Sequence, residues 1–302
     1  MPCLETPASA WEARPLSSTE HALAALERPF AAYLADMHCH LDRMENAEEI
    51  AGAARDAGIA VLDAPVTPRD AQRARELLAP FENVRVAIGL HPWWIADGSC
   101  GEADAGLAAE LAADARFTGE VGLDFSRRCL GSRDAQIACF SGIVRSIARN
   151  PLPGRVMTVH AVRSVTAVLD IMEREGVLGT GRGGVPSDGG GILPCVVLHW
   201  FSGTSDELAR ARRLGCYFSV SEHMLASKRG REYARVVPEE RLLLETDAPP
   251  GLDAPYSAGK LRASLEAALS RIAEIRGVER EALRDRVTRT SAHLLGMDGA
   301  GA

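Results

Sequence analysis

Lysine is almost missing from this chain: Lys228 and Lys260 are the only two among 34 basic residues. With 41 acidic residues and a net charge of −7, the composition argues against a broad cationic face for gripping long duplex DNA. Arginine carries the positive charge, and its planar guanidinium suits phosphate. The seven cysteines, at 3, 39, 100, 129, 139, 195 and 216, are odd in number and include no Cys-x-x-Cys. That argues against a disulfide framework or a thiolate zinc site and for a reducing compartment, so we expect a cytoplasmic protein. No apolar run reaches the ~18–20 residues of a membrane span. The first residues carry Glu5, Glu12, Arg14 and Glu20 without an apolar stretch, unlike a secretory leader. There is no Gly-x-Gly-x-x-Gly after the first strand-like run and no Gly-Lys-Ser/Thr, which removes the usual nucleotide-binding reasons for an open doubly wound sheet.

What is present is a long alternation. The 302 residues are 46% hydrophobic, ample for a core. Strand-like runs cover Leu34–His40, Ile59–Asp63, Val84–Leu90, Thr118–Leu123, Arg155–His160, Cys195–His199, Cys216–Val220 and Arg241–Glu245. Between them the 3.6-residue period predicts helices over 47–57, 68–78, 102–114, 133–149, 164–175, 205–214 and 224–236, then 257–276 and 279–295. Eight strands alternating with helices predict an α/β fold, a parallel sheet closed as a (β/α)8 TIM barrel. Residues 1–33 read as an extension outside that fold, with a short helix from Ser18, and 34–302 as one domain. Gly176–Pro194 holds eight glycines and is read as a Gly-rich insertion between a helix and a strand.

In such a barrel the C-terminal strand ends open on one face, which carries the site. Five of the eight histidines fall at those ends. His38 and His40 point the same way from the first strand and Cys39 the other, toward the helices; two such imidazoles, about 7 Å apart along the strand, can share a cation. Further strands end with His91, Glu120, His160, His199 and Asp247. Their chemistry suggests two divalent cations, with His38, His40 and Asp247 on one, His160 and His199 on the other, and Glu120 between them. Asp247 is also placed to act as general base. Imidazole and carboxylate leave Mg²⁺, Mn²⁺ and Zn²⁺ open as the metal. His21, His223 and His293 read as surface or packing residues, with some weight for His223 and Glu222 in a loop that can reach the site. Asp124, four residues after Glu120, is placed to hold a ligand from behind.

The blocks Asp36-Met37-His38-Cys39-His40-Leu41-Asp42, Gly89-Leu90-His91-Pro92, Gly119-Glu120-Val121-Gly122-Leu123-Asp124, His199-Trp200-Phe201-Ser202-Gly203 and Leu244-Glu245-Thr246-Asp247-Ala248-Pro249 resemble, in order, the signature of the TatD family of metal-dependent hydrolases. The His-Trp-Phe-Ser-Gly variant is similar to TatD-like nucleases of bacterial anti-phage gene clusters. The resemblance spans roughly residues 34–296. It implies a metal-dependent deoxyribonuclease, catalytic Glu120 and Asp247, and His38, His40, Glu120, His160, His199 and Asp247 as metal ligands. DNA, single-stranded or at ends, is the expected partner; no membrane partner is expected, and the chain is expected to be a monomer.

The chain also departs from the family pattern. Trp93 replaces the second His of a usual His-Pro-His, and the Trp93-Trp94 pair could stack an unpaired base or pack a loop. Val162 stands where an Arg is usual, with Arg163 following. The family's Asn-x-x-Arg-type element near its end reads Thr290-Ser291-Ala292-His293, and the Gly-rich insertion is not typical. His91, Trp93 and Arg163 are the expected substrate contacts. Arg127-Arg128 and Lys228-Arg229-Arg231 could form a phosphate-binding rim or a solvated charge run. Two alternatives keep the metals: a barrel hydrolysing a small amide, lactone or phosphotriester, or a non-catalytic component of a larger system such as an anti-phage one.

Overall fold

Period-two alternation decides which strand side chains fill the barrel and which meet the helices. The computed structural model describes residues 30–179, 193–251 and 255–298. Its elements, in order, are β1 (Leu34–Cys39), α1 (Ala47–Asp56), β2 (Ile59–Asp63), α2 (Pro68–Leu78), β3 (Val84–Val86), β4 (Ile88–Leu90), α3 (Pro92–Ala96), α4 (Glu102–Asp114), β5 (Phe117–Asp124), α5 (Arg133–Arg149), β6 (Val156–Val162), α6 (Val165–Arg174), β7 (Cys195–His199), α7 (Ser205–Arg213), β8 (Tyr217–Val220), α8 (Glu222–Ala226), α9 (Lys228–Val236), β9 (Leu242–Leu244), α10 (Ala258–Arg276) and α11 (Arg280–Leu295). All pairings are parallel, in the orders β1-β2-β3 and β4-β5-β6-β7-β8-β9. The expected third strand is broken at Ala87, where Ala87 N donates to Asp63 O (2.9 Å) and carries the pairing on from β2. Past β9 the chain closes the ring against β1: Asp247 N donates to His38 O (2.9 Å) and His40 N to Ala248 O (2.7 Å). The expected (β/α)8 barrel is the fold observed.

Two cores follow from the alternation. Ala35, Met37, Ala60, Leu62, Phe117, Val156, Val197 and Leu243 fill the barrel. Leu34, Cys39, Ile59, Val61, Val121, Leu123, Leu198 and Leu244 pack outward, among helical residues such as Ile50, Leu169 and Leu269. Leu294, Leu295 and Met297, beyond and at the end of α11, close the barrel's lower end, with Phe30 against them. Capping residues place the surrounding helices: the Thr67 hydroxyl accepts from Asp70 N ahead of Pro68, and Thr204 and Glu207 form a reciprocal capping box.

Strict alternation would misplace the site. With Ala35 and Met37 inside, unbroken phase would put Cys39 inside and turn His38 and His40 to the helices. A bulge intervenes: Asp36 pairs with Val61 but Cys39 with Asp63, three steps against two. A second bulge does the same for Glu120, since Thr118 pairs with Met157 but Val121 with Val159. Each extra residue resets the phase and aims a ligand-type side chain inward.

The stretch expected as one helix over 224–236 is two, because Ser227 leaves helical geometry (φ −84°, ψ 148°) and caps α9 through its hydroxyl on Gly230 N (2.9 Å). Residues 1–29 of the expected extension, with its helix from Ser18, and 180–192 of the Gly-rich insertion lie outside the described residues. No helix among the described residues is long and apolar enough to cross a membrane.

Gly89 allows a close approach beneath the site: Glu120 N donates to Pro65 O (3.2 Å), and a Cβ on Gly89 would lie 1.5 Å from that same oxygen. Gly89→Ala is therefore expected to lower stability by more than the ~1–3 kcal/mol of ordinary overpacking. Gly106→Ala, in open space on α4, should raise it by ~0.4–1 kcal/mol. Thermal unfolding of the two variants checks the contrast; similar shifts would contradict this packing.

Candidate metal centre

The two oxygens of one buried carboxylate face two groups of imidazole nitrogens. Glu120 Oε2 lies 3.3 Å from His38 Nε2 and 3.3 Å from His40 Nε2. Glu120 Oε1 lies 2.7 Å from His160 Nδ1, 2.9 Å from His199 Nε2 and 3.1 Å from His91 Nε2. Asp247 completes the first group, its Oδ1 3.3 Å from His40 Nε2 and 3.8 Å from His38 Nε2. The His38 and His199 rings stack at 3.9 Å and 4°, joining the two groups. Three sets, His38–His40–Glu120, His38–His199–Asp247 and His91–Glu120–His160, each bring three ligand-type atoms within 4.8 Å of one another.

Partners behind the rings decide what each presents. His40 Nδ1 donates to Ala64 O (2.7 Å), which turns Nε2 toward the carboxylates. His38 Nδ1 lies 2.6 Å from Thr158 Oγ1, while its buried Nε2 has no hydrogen-bond partner. His160 Nε2 faces Asp124 Oδ2 at 3.5 Å, and Asp124 is held by Trp93 Nε1 (2.6 Å) and Ser126 N (2.7 Å). His199 Nδ1 lies 3.8 Å from buried Glu245. His91 differs. Its Nδ1 accepts from Trp93 N (3.0 Å), so its proton resides on Nε2 and points at Glu120. Proximity alone groups His91 with the ligands, but this hydrogen bond makes it a donor that steadies Glu120.

The charges are strongly coupled. Burial alone would raise Glu120, yet His91, His199 and His38 hold it well below the ordinary range. Burial also opposes the ionised form of Asp247, and the hydrogen bond from His40 and the charge of His199 lower it nonetheless. Burial pushes His38 down to about 4, reinforced by His199, and pushes His91 down to about 4. On His160 burial acts the same way, but Asp124 and Glu120 outweigh it and raise the ring to about 9. Asp247 and Glu120 likewise raise His40 well above its ordinary value. Ionised carboxylates, a buried imidazole nitrogen with no partner and two further rings that attract extra positive charge make a donor set suited to divalent cations. The cluster forms the floor of a cavity of about 650 Å³, whose lining includes Trp93, Trp94, Trp200, His223 and Tyr256.

The structure thus brings together all six expected ligand residues. His91, an expected substrate contact, lines the cavity but is buried at 4% exposure with its Nε2 on Glu120. Its position after β4 was plain, but its inward turn depends on the short helix that Pro92 starts. Trp93 stands at the mouth, while Arg163 is exposed at φ +55° and is not among the cavity-lining residues. Sequence reasoning missed Thr158, Glu245 and Trp200. Thr158 is two residues before His160 on the same strand face, and Glu245 is two before Asp247, so period-two spacing from the named residues was the available signal.

In the metal-free protein, His160 binds its proton more tightly folded than unfolded. Its contribution to stability is complete below its ordinary 6.5 and is lost as pH rises through about 9. His40 acts in the same sense, whereas the penalty from His38 and His91 grows only as pH falls from 6.5 through about 4. Melting temperatures in chelator should therefore fall between pH 6.5 and about 9, and His160→Gln should flatten the fall. An identical slope in that variant would refute the assignment.

The sequence profile described as TatD related DNase matches residues 35–296. The chain is 30% identical over 242 residues to the "3'-5' ssDNA/RNA exonuclease TatD" of Citrobacter rodentium, covering 76% of this chain and 83% of that protein. It is 26% identical over 206 residues to the protein of the same name from Escherichia coli K12, covering 67% and 72%. Among solved structures, YJJV, a TatD homolog from Escherichia coli K12, superposes with a TM-score of 0.69 at 19% identity, over 88% of this chain and 98% of that one. A TatD family hydrolase from Entamoeba histolytica gives 0.68 at 16% identity, over 88% and 98%. The chain belongs to the TatD-related DNase family of ester-bond hydrolases.

Proposed function

We propose that the chain is a divalent-metal-dependent nuclease that hydrolyses phosphodiester bonds in single-stranded DNA or at DNA ends. The observation that carries this reading is the division of Glu120: Oε2 addresses His38 and His40, Oε1 addresses His160 and His199, all at 2.7–3.3 Å. His38, His40 and Asp247 would hold one cation, His160 and His199 a second, with Glu120 shared. Mg²⁺, Mn²⁺ and Zn²⁺ are all compatible with these donors. Bound there, the pair would supply charge stabilisation for an in-line displacement and make water a nucleophile at neutral pH.

The chain's own residues do the rest. Asp247 is kept ionised by His40 and His199 and, at 23% exposure, is far more open than fully enclosed Glu120. It is thus the group suited to take the proton from the attacking water and pass it to solvent. His91 holds Glu120 through its Nε2 proton. Thr158 and Asp124 back His38 and His160, which fixes the orientation of those two rings. At the mouth, Trp93 carries the Arg128 guanidinium over its ring at 3.5 Å, presenting a cation to a phosphate. Exposed Arg163 is proposed as a contact for a phosphate farther along the strand. Residues 34–302 are proposed to work as one domain, and as a monomer.

The test is cleavage of a fluorescent single-stranded oligonucleotide with Mg²⁺ or Mn²⁺. Wild type should cleave it, and Glu120→Gln and Asp247→Asn should each lose roughly 10²–10⁴-fold in rate. Equal activity in wild type and both variants would sink the mechanism.

A further inference from the structure

Two indoles are exposed at the mouth of the cavity, Trp93 at 39% and Trp200 at 37%. They follow β4 and β7, on well-separated sides of the ring. Their circumstances differ. The Trp93 N–H is engaged by Asp124 (2.6 Å), and Arg128 covers its ring. Trp200 has no acceptor for its indole N–H and no cation on its ring among the described residues. Its aromatic neighbour is His223, nearly parallel at 16° with centroids 6.0 Å apart.

The backbone of Trp200 is fixed, while its ring stands at the cavity mouth beside His223. It has φ +37°, a region a bulky side chain rarely occupies. Its N–H donates to Glu245 Oε1 (3.0 Å), and the other oxygen of that wholly buried carboxylate is bonded by the Ser219 hydroxyl. An exposed large apolar ring, held in an uncommon conformation by a buried carboxylate, adjoins His199 directly in the chain. Such an arrangement is unfavourable for packing and favourable for presenting a rigid flat surface beside the reacting centre.

We propose that Trp200 is the stacking platform for one unpaired nucleobase of a single-stranded nucleic acid, next to the phosphate that is cleaved. A base within a duplex is already stacked on both faces, so the platform favours single strands and frayed ends. The inference rests on the nuclease reading, and it assigns the side chain that selects the substrate form. Stacking on an indole is tolerant of base identity, so the contact carries little sequence preference.

The experiment scans a single abasic position through a short fluorescent oligothymidylate and measures cleavage by wild type, Trp200→Leu and Trp200→Phe, with melting curves to show folding. In wild type one abasic position near the cleavage point should reduce kcat/KM by roughly 5- to 150-fold. Trp200→Leu should lose a similar factor on the intact strand and become indifferent to the abasic position; Trp200→Phe should retain most of the effect. An abasic penalty that is the same in wild type and Trp200→Leu overturns the platform while the nuclease reading stands. No metal-dependent cleavage by wild type overturns that reading, and the platform with it. If Trp200→Leu does not fold, wild type and Trp200→Phe decide: no abasic penalty in wild type, or its loss in Trp200→Phe, refutes the proposal.

Discussion

A single carboxylate buried among five histidines is the constraint on which the upper half of this barrel depends. An ionised Glu120 with 2% exposure could not persist in an apolar surround. It persists because each oxygen is met by nitrogens, and those nitrogens are in turn aimed by groups on other strands. The centre is therefore a product of barrel closure. β1, β4, β5, β6 and β7 each deliver a side chain to Glu120 or Glu120 itself, and the segment after β9 adds Asp247. Protons favoured on His40 and His160 balance part of the negative charge buried there.

Much of this was legible in the chain. Ligand-type residues at the ends of apolar runs placed all six members of the centre, because strand ends in a parallel barrel converge by topology and need no atomic detail. What could not be read was local phase. Nothing in Leu34–Cys39 or Phe117–Asp124 announces a bulge, yet without the bulges His38, His40 and Glu120 would face the helices. Orientation of a ring by its second nitrogen was equally hidden. His91 reads as a substrate contact from the chain, because nothing there shows the Trp93 amide occupying its Nδ1. The exposure of Trp200 was hidden in the same way, since its unusual φ is a property of the folded backbone alone.

The departure at Trp93 acquires a physical meaning from its partners. Its indole donates to the carboxylate that faces His160, so the bulky replacement is connected to the centre through Asp124 rather than merely filling a loop. Arg128 on its ring brings positive charge to the mouth of a protein whose net charge is −7. On the proposed reading, a polyanionic strand would meet overall repulsion, which local arginines such as Arg128 would have to overcome. Salt should therefore act on binding through a few contacts rather than through a broad field.

The paired bulges separate two kinds of variation. Below them, the residues filling the barrel obey only volume and alternation, so that layer can drift among apolar side chains while the histidines above keep their aim. At the bulges themselves identity matters: the second holds Gly119, where a Cβ would lie 2.2 Å from Thr158 Cγ2, and Glu120 itself. Removing Met37 would by this count take out the extra residue and leave Cys39 opposite Asp63, so both imidazoles would keep their inward aim while the barrel lost one filling side chain.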